Sequence, residues 1–228
     1  MTGVEDLKNF DALLACVPVD DRAKTELCAM LGAPDRFYHG VSHPAQLWRT
    51  HSVYATAEGF LAPEVETLIA CAVAYHDCVY DSRSRDNEEL SAEIWMRASS
   101  GSLLRAANRL WVAETILATR DHLGYYFESA EGAVKRDLRP SAALLERARI
   151  WVLDLDLTPL GASAEDFDRD TASLRLEAAH LSDAEWEIGR LFFLQRFAEA
   201  PQIFRSPTLA AIFEAPARSN IARHLRRS

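Results

Sequence analysis

From Leu68 to Tyr75 the chain reads Leu-Ile-Ala-Cys-Ala-Val-Ala-Tyr, without a charge or a polar face, and it ends in His76-Asp77. An apolar run with no polar side belongs in the middle of a hydrophobic core. A carboxylate at the end of such a run is costly to bury unless something positive lies against it. Imidazole and carboxylate side by side are good ligands for a divalent metal, and a metal ion would supply that charge. The dipeptide alone is weak evidence, because a chain of this composition would hold about 0.5 such pairs by chance.

Elsewhere the periodicity is helical rather than alternating. Helices are predicted at about 4–16, 20–31, 44–60, 63–78, 87–99, 103–119, 140–153, 164–180, 183–199 and 206–226. Ser182-Asp-Ala-Glu185 and Ser163-Ala-Glu-Asp166 fit the capping-box pattern, and Asp86-Asn-Glu-Glu89 fits it less well. Pro63 and Pro140 suit first-turn positions, where the missing donor costs nothing. No β-branched run of period two occurs, so the expected class is all-α, a single-domain multi-helix bundle. The 228 residues, 49% hydrophobic, suffice for one sizeable core, and no linker or low-complexity run divides them. The stretch 123–140 is the main irregular segment, read as a surface connection or a loop over a site.

A net charge of −9 without a basic stripe argues against binding duplex nucleic acid. No apolar run reaches membrane-spanning length and no secretory signal opens the chain. Four cysteines without a C-x-x-C pair fit a reduced compartment, with Cys71 and Cys78 acting as small hydrophobes. The expected setting is cytoplasmic, with no membrane partner.

Further polar residues occupy unusual places. His39 and His43 stand four apart, ahead of Pro44, and either is compatible with ligation or with a structural hydrogen bond. Asp154 and Asp156 lie within the apolar run Trp151–Leu157. Residues two apart on a helix point about 200° apart, so only one of them can face a common centre. The other is expected to cap, to meet solvent or to pair with an arginine such as Arg149 or Arg190. His122 ends a predicted helix, where the helix dipole, a second metal or a leaving-group proton could each account for it. His51, His180 and His224 lie in polar contexts and are expected at the surface.

The order His43, His76-Asp77, Asp156 resembles the H…HD…D pattern of the HD-domain metal-dependent phosphohydrolases. It is closer still to a bacterial branch of predicted HD-superfamily phosphohydrolases. The similarity runs through Arg36-Phe-Tyr-His39 with His43, Tyr75-His-Asp-Cys-Val-Tyr80-Asp81 and Asn87-Glu-Glu-Leu-Ser91-Ala92. It continues in Ala118-Thr119-Arg-Asp-His122, Leu153-Asp-Leu-Asp156-Leu157 with Gly161, Gly189-Arg190 and Ala217-Arg-Ser-Asn220-Ile221, over about residues 34–225. Gly40 departs from the pattern's asparagine, and Pro44 stands inside the following first turn.

The resemblance implies an HD-type helical domain in which His43, His76, Asp77 and Asp156 hold a divalent ion (Mn, Fe, Co, Ni, Zn or Mg). It selects Asp156 as ligand and leaves Asp154 to support the site from behind. It implies water-based cleavage of a small, nucleotide-like phosphoester, with Asp77 orienting the water and His122 and Glu88 as acid–base groups. Arg36 and Arg120 would contact substrate phosphate. A non-catalytic nucleotide- or metabolite-binding module and a di-iron oxygenase are the alternatives. A homodimer is admitted but not required.

Overall fold

The computed structural model describes residues 3–60, 62–124 and 141–226. Among these the chain is helical, with no strand. The α-helices are α1 (Val4–Ala15), α2 (Asp21–Leu31), α3 (Ser42–Glu58), α4 (Pro63–Tyr75), α5 (Asn87–Ala98), α6 (Ala106–Ala118), α7 (Ala142–Leu157), α8 (Ala164–Glu177), α9 (Asp183–Glu199) and α10 (Pro207–Leu225). Every predicted helix is present, with ends displaced by a few residues. Part of the irregular segment, 125–140 with Pro140, lies outside the described residues.

Helix α4 is the central element. Every residue from Leu68 to Tyr75 is buried, and α1, α3, α5, α6 and α7 all pack on it. Ala70, Cys71, Ala72 and Ala74 supply small surfaces that let neighbours approach, while Leu68, Ile69 and Val73 fill the gaps between them. Each large aliphatic side chain removed from water contributes about 1.5–3 kcal/mol. Pro63 opens the helix at its first turn, as predicted. The helix ends at Tyr75 rather than at residue 78, which places His76 and Asp77 just beyond its last turn.

The caps explain most of the other boundaries. Ser182 and Glu185 form the full reciprocal box at α9. Ser163 accepts from the Asp166 amide at α8. Asp86 makes no side-chain cap at α5; its neighbour Asn87 is committed instead to the Asp81 backbone. Helix α3 starts two residues before the expected Pro44. Pro44 is its third residue, where an amide would have no partner within the helix anyway. A Cβ at Gly40 would stand 3.1 Å from the Arg36 carbonyl oxygen and 3.3 Å from that of Leu31. The absent asparagine therefore reflects close backbone approach, and the turn that presents His43 is an ordinary helical one. Gly161 has the same cause at another place, since a Cβ there would lie 2.7 Å from the Phe213 carbonyl oxygen.

Two histidines expected at the surface are buried; His180 is exposed as expected. His224 lies between Asp168, whose Oδ1 is 2.6 Å from its Nε2, and Arg190, 2.9 Å from its Nδ1. His51 is 2% exposed, stacked on Trp48, and accepts from the Trp151 indole N–H at 3.0 Å. The partners that bury them, Trp48 and Trp151 for His51 and Asp168 and Arg190 for His224, come mostly from distant segments, which is why local context misplaced them. All four cysteines are free, and Cys71 and Cys78 are buried as expected of small hydrophobes. No helix among the described residues is long and apolar enough to cross a membrane.

Burial pushes the His51 pKa down from 6.5 to about 4. Between those values the unfolded chain binds a proton that the folded chain does not, so stability falls as pH drops from 6.5 towards 4. The loss from this one group amounts to about 3 kcal/mol. Replacing His51→Gln is expected to cost stability at pH 7.5 but to flatten the pH dependence of urea unfolding between pH 6.5 and 4.5. An unchanged slope would refute the assignment.

Candidate metal centre

Four side chains from three helices meet at one end of α4. His43 comes from the first turn of α3, His76 and Asp77 from the end of α4, and Asp156 from the last turn of α7. One donor atom from each lies within 4.8 Å of all the others. His43 Nε2 is 3.1 Å from His76 Nε2 and 3.0 Å from Asp156 Oδ1. His76 Nε2 is 3.1 Å from Asp77 Oδ2 and 3.4 Å from Asp156 Oδ1, and His43 Nε2 is 3.7 Å from Asp77 Oδ2. Ligands about 2.1 Å from a common ion stand roughly 3.0–3.4 Å apart at neighbouring positions. The donor set therefore suits a divalent cation in both chemistry and spacing.

Electrostatics point the same way. Burial alone would push the His76 imidazole down, but Asp77 and then Asp156 hold it well above the ordinary histidine range. Burial likewise opposes the Asp77 charge, and His76 is the main group holding its carboxyl below the usual range. Asp156 is held well below it, by His76 first and then by hydrogen bonds from His122 and His43. His76 Nδ1 donates to the Val73 carbonyl at 3.0 Å, which fixes the ring and leaves Nε2 facing the cluster.

The surrounding residues hold this geometry. Arg36 donates to three main-chain carbonyls, those of His39 (3.0 Å), Asp77 (2.7 Å) and Cys78 (2.9 Å). It thereby ties the approach to α3 to the exit from α4. Asn87 and Ser91, from the first turns of α5, bind both backbone groups of Asp81 and of Val79, and so pin the loop after Asp77. Asn220 clasps the carbonyls of Leu160 and Ala162 beyond the end of α7. Arg36, Asn87, Ser91 and Asn220 are thus fasteners of backbone and lie outside the donor cluster.

The two aspartates of α7 do point apart. Asp156 faces the cluster. Asp154, fully buried, accepts from the backbone amides of Arg205 (2.7 Å) and Ser206 (2.6 Å), ahead of α10. Desolvation raises its pKa to about 6 despite those amides. Its partner is not an arginine side chain: Arg149 is engaged with Glu114 and Thr115, and Arg190 with Glu187 and His224. Nor does it back the metal ligands directly. Its link to the site runs through Arg205, whose guanidinium reaches the His122 carbonyl at 3.4 Å.

His122 Nε2 lies 2.8 Å from Asp156 Oδ2, the oxygen turned away from His43. Glu88 is not among the clustered donors and pairs with Arg120, 3.3 Å away. Arg120 also engages Glu89 and the Arg85 carbonyl. Arg36 is occupied with main-chain carbonyls, and neither it nor Arg120 lines the cavity beside the cluster. Sequence reasoning missed Glu177. Its carboxylate accepts from the Tyr38 and His39 amides and lies 2.6 Å from His39 Nδ1. His39 also stacks on Tyr80, with its Nε2 3.9 Å from Asp77 Oδ2. Nothing in the surrounding sequence marks Glu177 as a partner from 138 positions away.

No family model, curated protein or solved structure matches this chain.

A divalent ion should stabilise the fold by mass action, by about 2.7 kcal/mol when free metal stands at one hundred times its Kd. Thermal unfolding with and without Mn or Co is expected to show this gain in the wild type and its loss in His43→Ala. Because a proton on His76 competes with the ion, metal affinity should rise with pH, up to about tenfold per unit. Equal stabilisation of the variant would count against ligation by His43.

Proposed function

We propose that this chain is a metal-dependent phosphohydrolase of HD type, cleaving a small phosphoester with water. The observation that carries the reading is the convergence of His43, His76, Asp77 and Asp156, with His122 poised on the free oxygen of Asp156. The sequence resemblance to HD-domain phosphohydrolases supports it independently of the geometry. His43, His76, Asp77 and Asp156 would hold the ion. When bound, a divalent ion supplies Lewis acidity and makes water a nucleophile near neutral pH.

The protein's own groups do the rest. Asp77 is the most exposed of the four donors, and its carboxylate would orient the attacking water. His122, held by Asp156 Oδ2 through Nε2 and lining the cavity, would act as proton donor to a leaving oxygen through its other ring nitrogen, Nδ1. Arg36 keeps the Asp77 backbone in place, and Asp156 serves both the ion and His122. One observation favours a second reading. Asp156 presents Oδ1 to His43 and Oδ2 to His122, so His122 with Asp156 could help hold a second ion, which would supply redox chemistry if it were iron. Two ions per chain together with oxygen consumption would support a redox enzyme instead.

Purified protein is expected to carry metal and to release phosphate from members of a phosphoester panel with added Mn or Co. Asp77→Ala should lower that rate by about 10³-fold or more, as expected when a nucleophile-positioning group is lost. Metal-loaded protein that turns over nothing in the panel would overturn the hydrolase reading.

A further inference from the structure

A cavity of about 450 Å³ opens beside the cluster, with Asp156 and His122 in its wall. Pockets of this size enclose most of a small organic ligand. Its walls come from the segment after α7 and from α8 and α9, with Tyr38, His39, Tyr80 and Ser82 added from the segments before α3 and after α4, and most of the lining is apolar. Leu160, Phe167, Leu174, Leu181, Trp186 and Phe193 make up the side away from the metal ligands. Among the described lining residues Arg190 is the one Lys or Arg, and its guanidinium already serves Glu187 and His224. Asp170 adds a carboxylate to the same wall.

That lining discriminates between substrate classes. A nucleotide's base and ribose would find few polar partners along α8 and α9, Thr171 among them, and further phosphates would meet the Asp170 carboxylate and one arginine already engaged with Glu187 and His224. An ester with one phosphate and an apolar remainder fits both ends: phosphate at the ion and His122, apolar group along α8 and α9. We propose that the cavity binds the apolar group of an amphipathic phosphomonoester, an alkyl or aryl phosphate, rather than the nucleotide-like substrate implied by sequence resemblance. This rests on the phosphohydrolase reading for its chemistry, but not for its binding.

Binding and turnover separate the two. Full-length, metal-loaded protein is titrated calorimetrically with non-hydrolysable n-alkylphosphonates from ethyl to octyl, and with AMP. Phosphate release is measured in parallel from the matching alkyl phosphates. The expected Kd falls roughly threefold per added methylene, since each buried CH₂ adds a nearly constant increment. Octylphosphonate should then bind far more tightly than AMP. Phe193→Ser, on a half-exposed position of α9, and Leu174→Asn should each weaken octylphosphonate at least fivefold while changing ethylphosphonate much less. A Kd that does not vary with chain length, or AMP binding as tightly as octylphosphonate, overturns the proposal. Chain-length-dependent binding without phosphate release from any ester upholds the apolar site and overturns the hydrolase reading alone.

Discussion

The architecture depends on one helix whose stretch from Leu68 to Tyr75 has no side facing solvent. Because that stretch of α4 is apolar all round, five other helices cover it, and the order of packing follows from that demand. Two of the covering helices, α3 and α7, have a terminus at its end, where the apolar pattern stops and His76-Asp77 begins. The polar cluster is therefore a product of core packing. α3 and α7 pack on α4 to bury hydrocarbon, and the first turn of one and the last turn of the other bring His43 and Asp156 to His76 and Asp77. A binding site built in this way is as rigid as the core that forms it.

Two buried aspartates of α7 show two solutions to one electrostatic problem. Asp156 is offset by the histidines around it. Asp154 has no histidine beside it and is stabilised by the amides of Arg205 and Ser206, with the Ser206 hydroxyl and the Arg205 charge adding to them. Those amides only partly offset desolvation, so its carboxyl remains easier to protonate than one in water. One helix thus braces the His/Asp cluster with one side and the start of α10 with another.

Helix existence was legible in sequence because periodicity and caps are local. The separation of Asp154 from Asp156 was legible too, since it follows from 100° per residue. Which of them faces the cluster needed more than geometry, and the family pattern selected the residue that the structure places there. What stayed hidden depends on partners distant in the chain. His51 looks like a surface residue until Trp151, 100 positions on, is packed against it. Glu177 gains its role only when α8 is laid beside His39. The resemblance put Arg36 and Arg120 against substrate phosphate, but folding engages both with internal acceptors, and the cavity beside the cluster shows itself only once α8 and α9 are in place.

Arg36 grips carbonyl oxygens, which every amino acid possesses. The hold on the segment 77–78 is consequently indifferent to the side chains there. Framework and chemistry are separable at this point of the molecule. The donor set can be altered at position 77 without disturbing the scaffold that presents it, so one frame could serve different ions and different reactions through changes confined to the ligands.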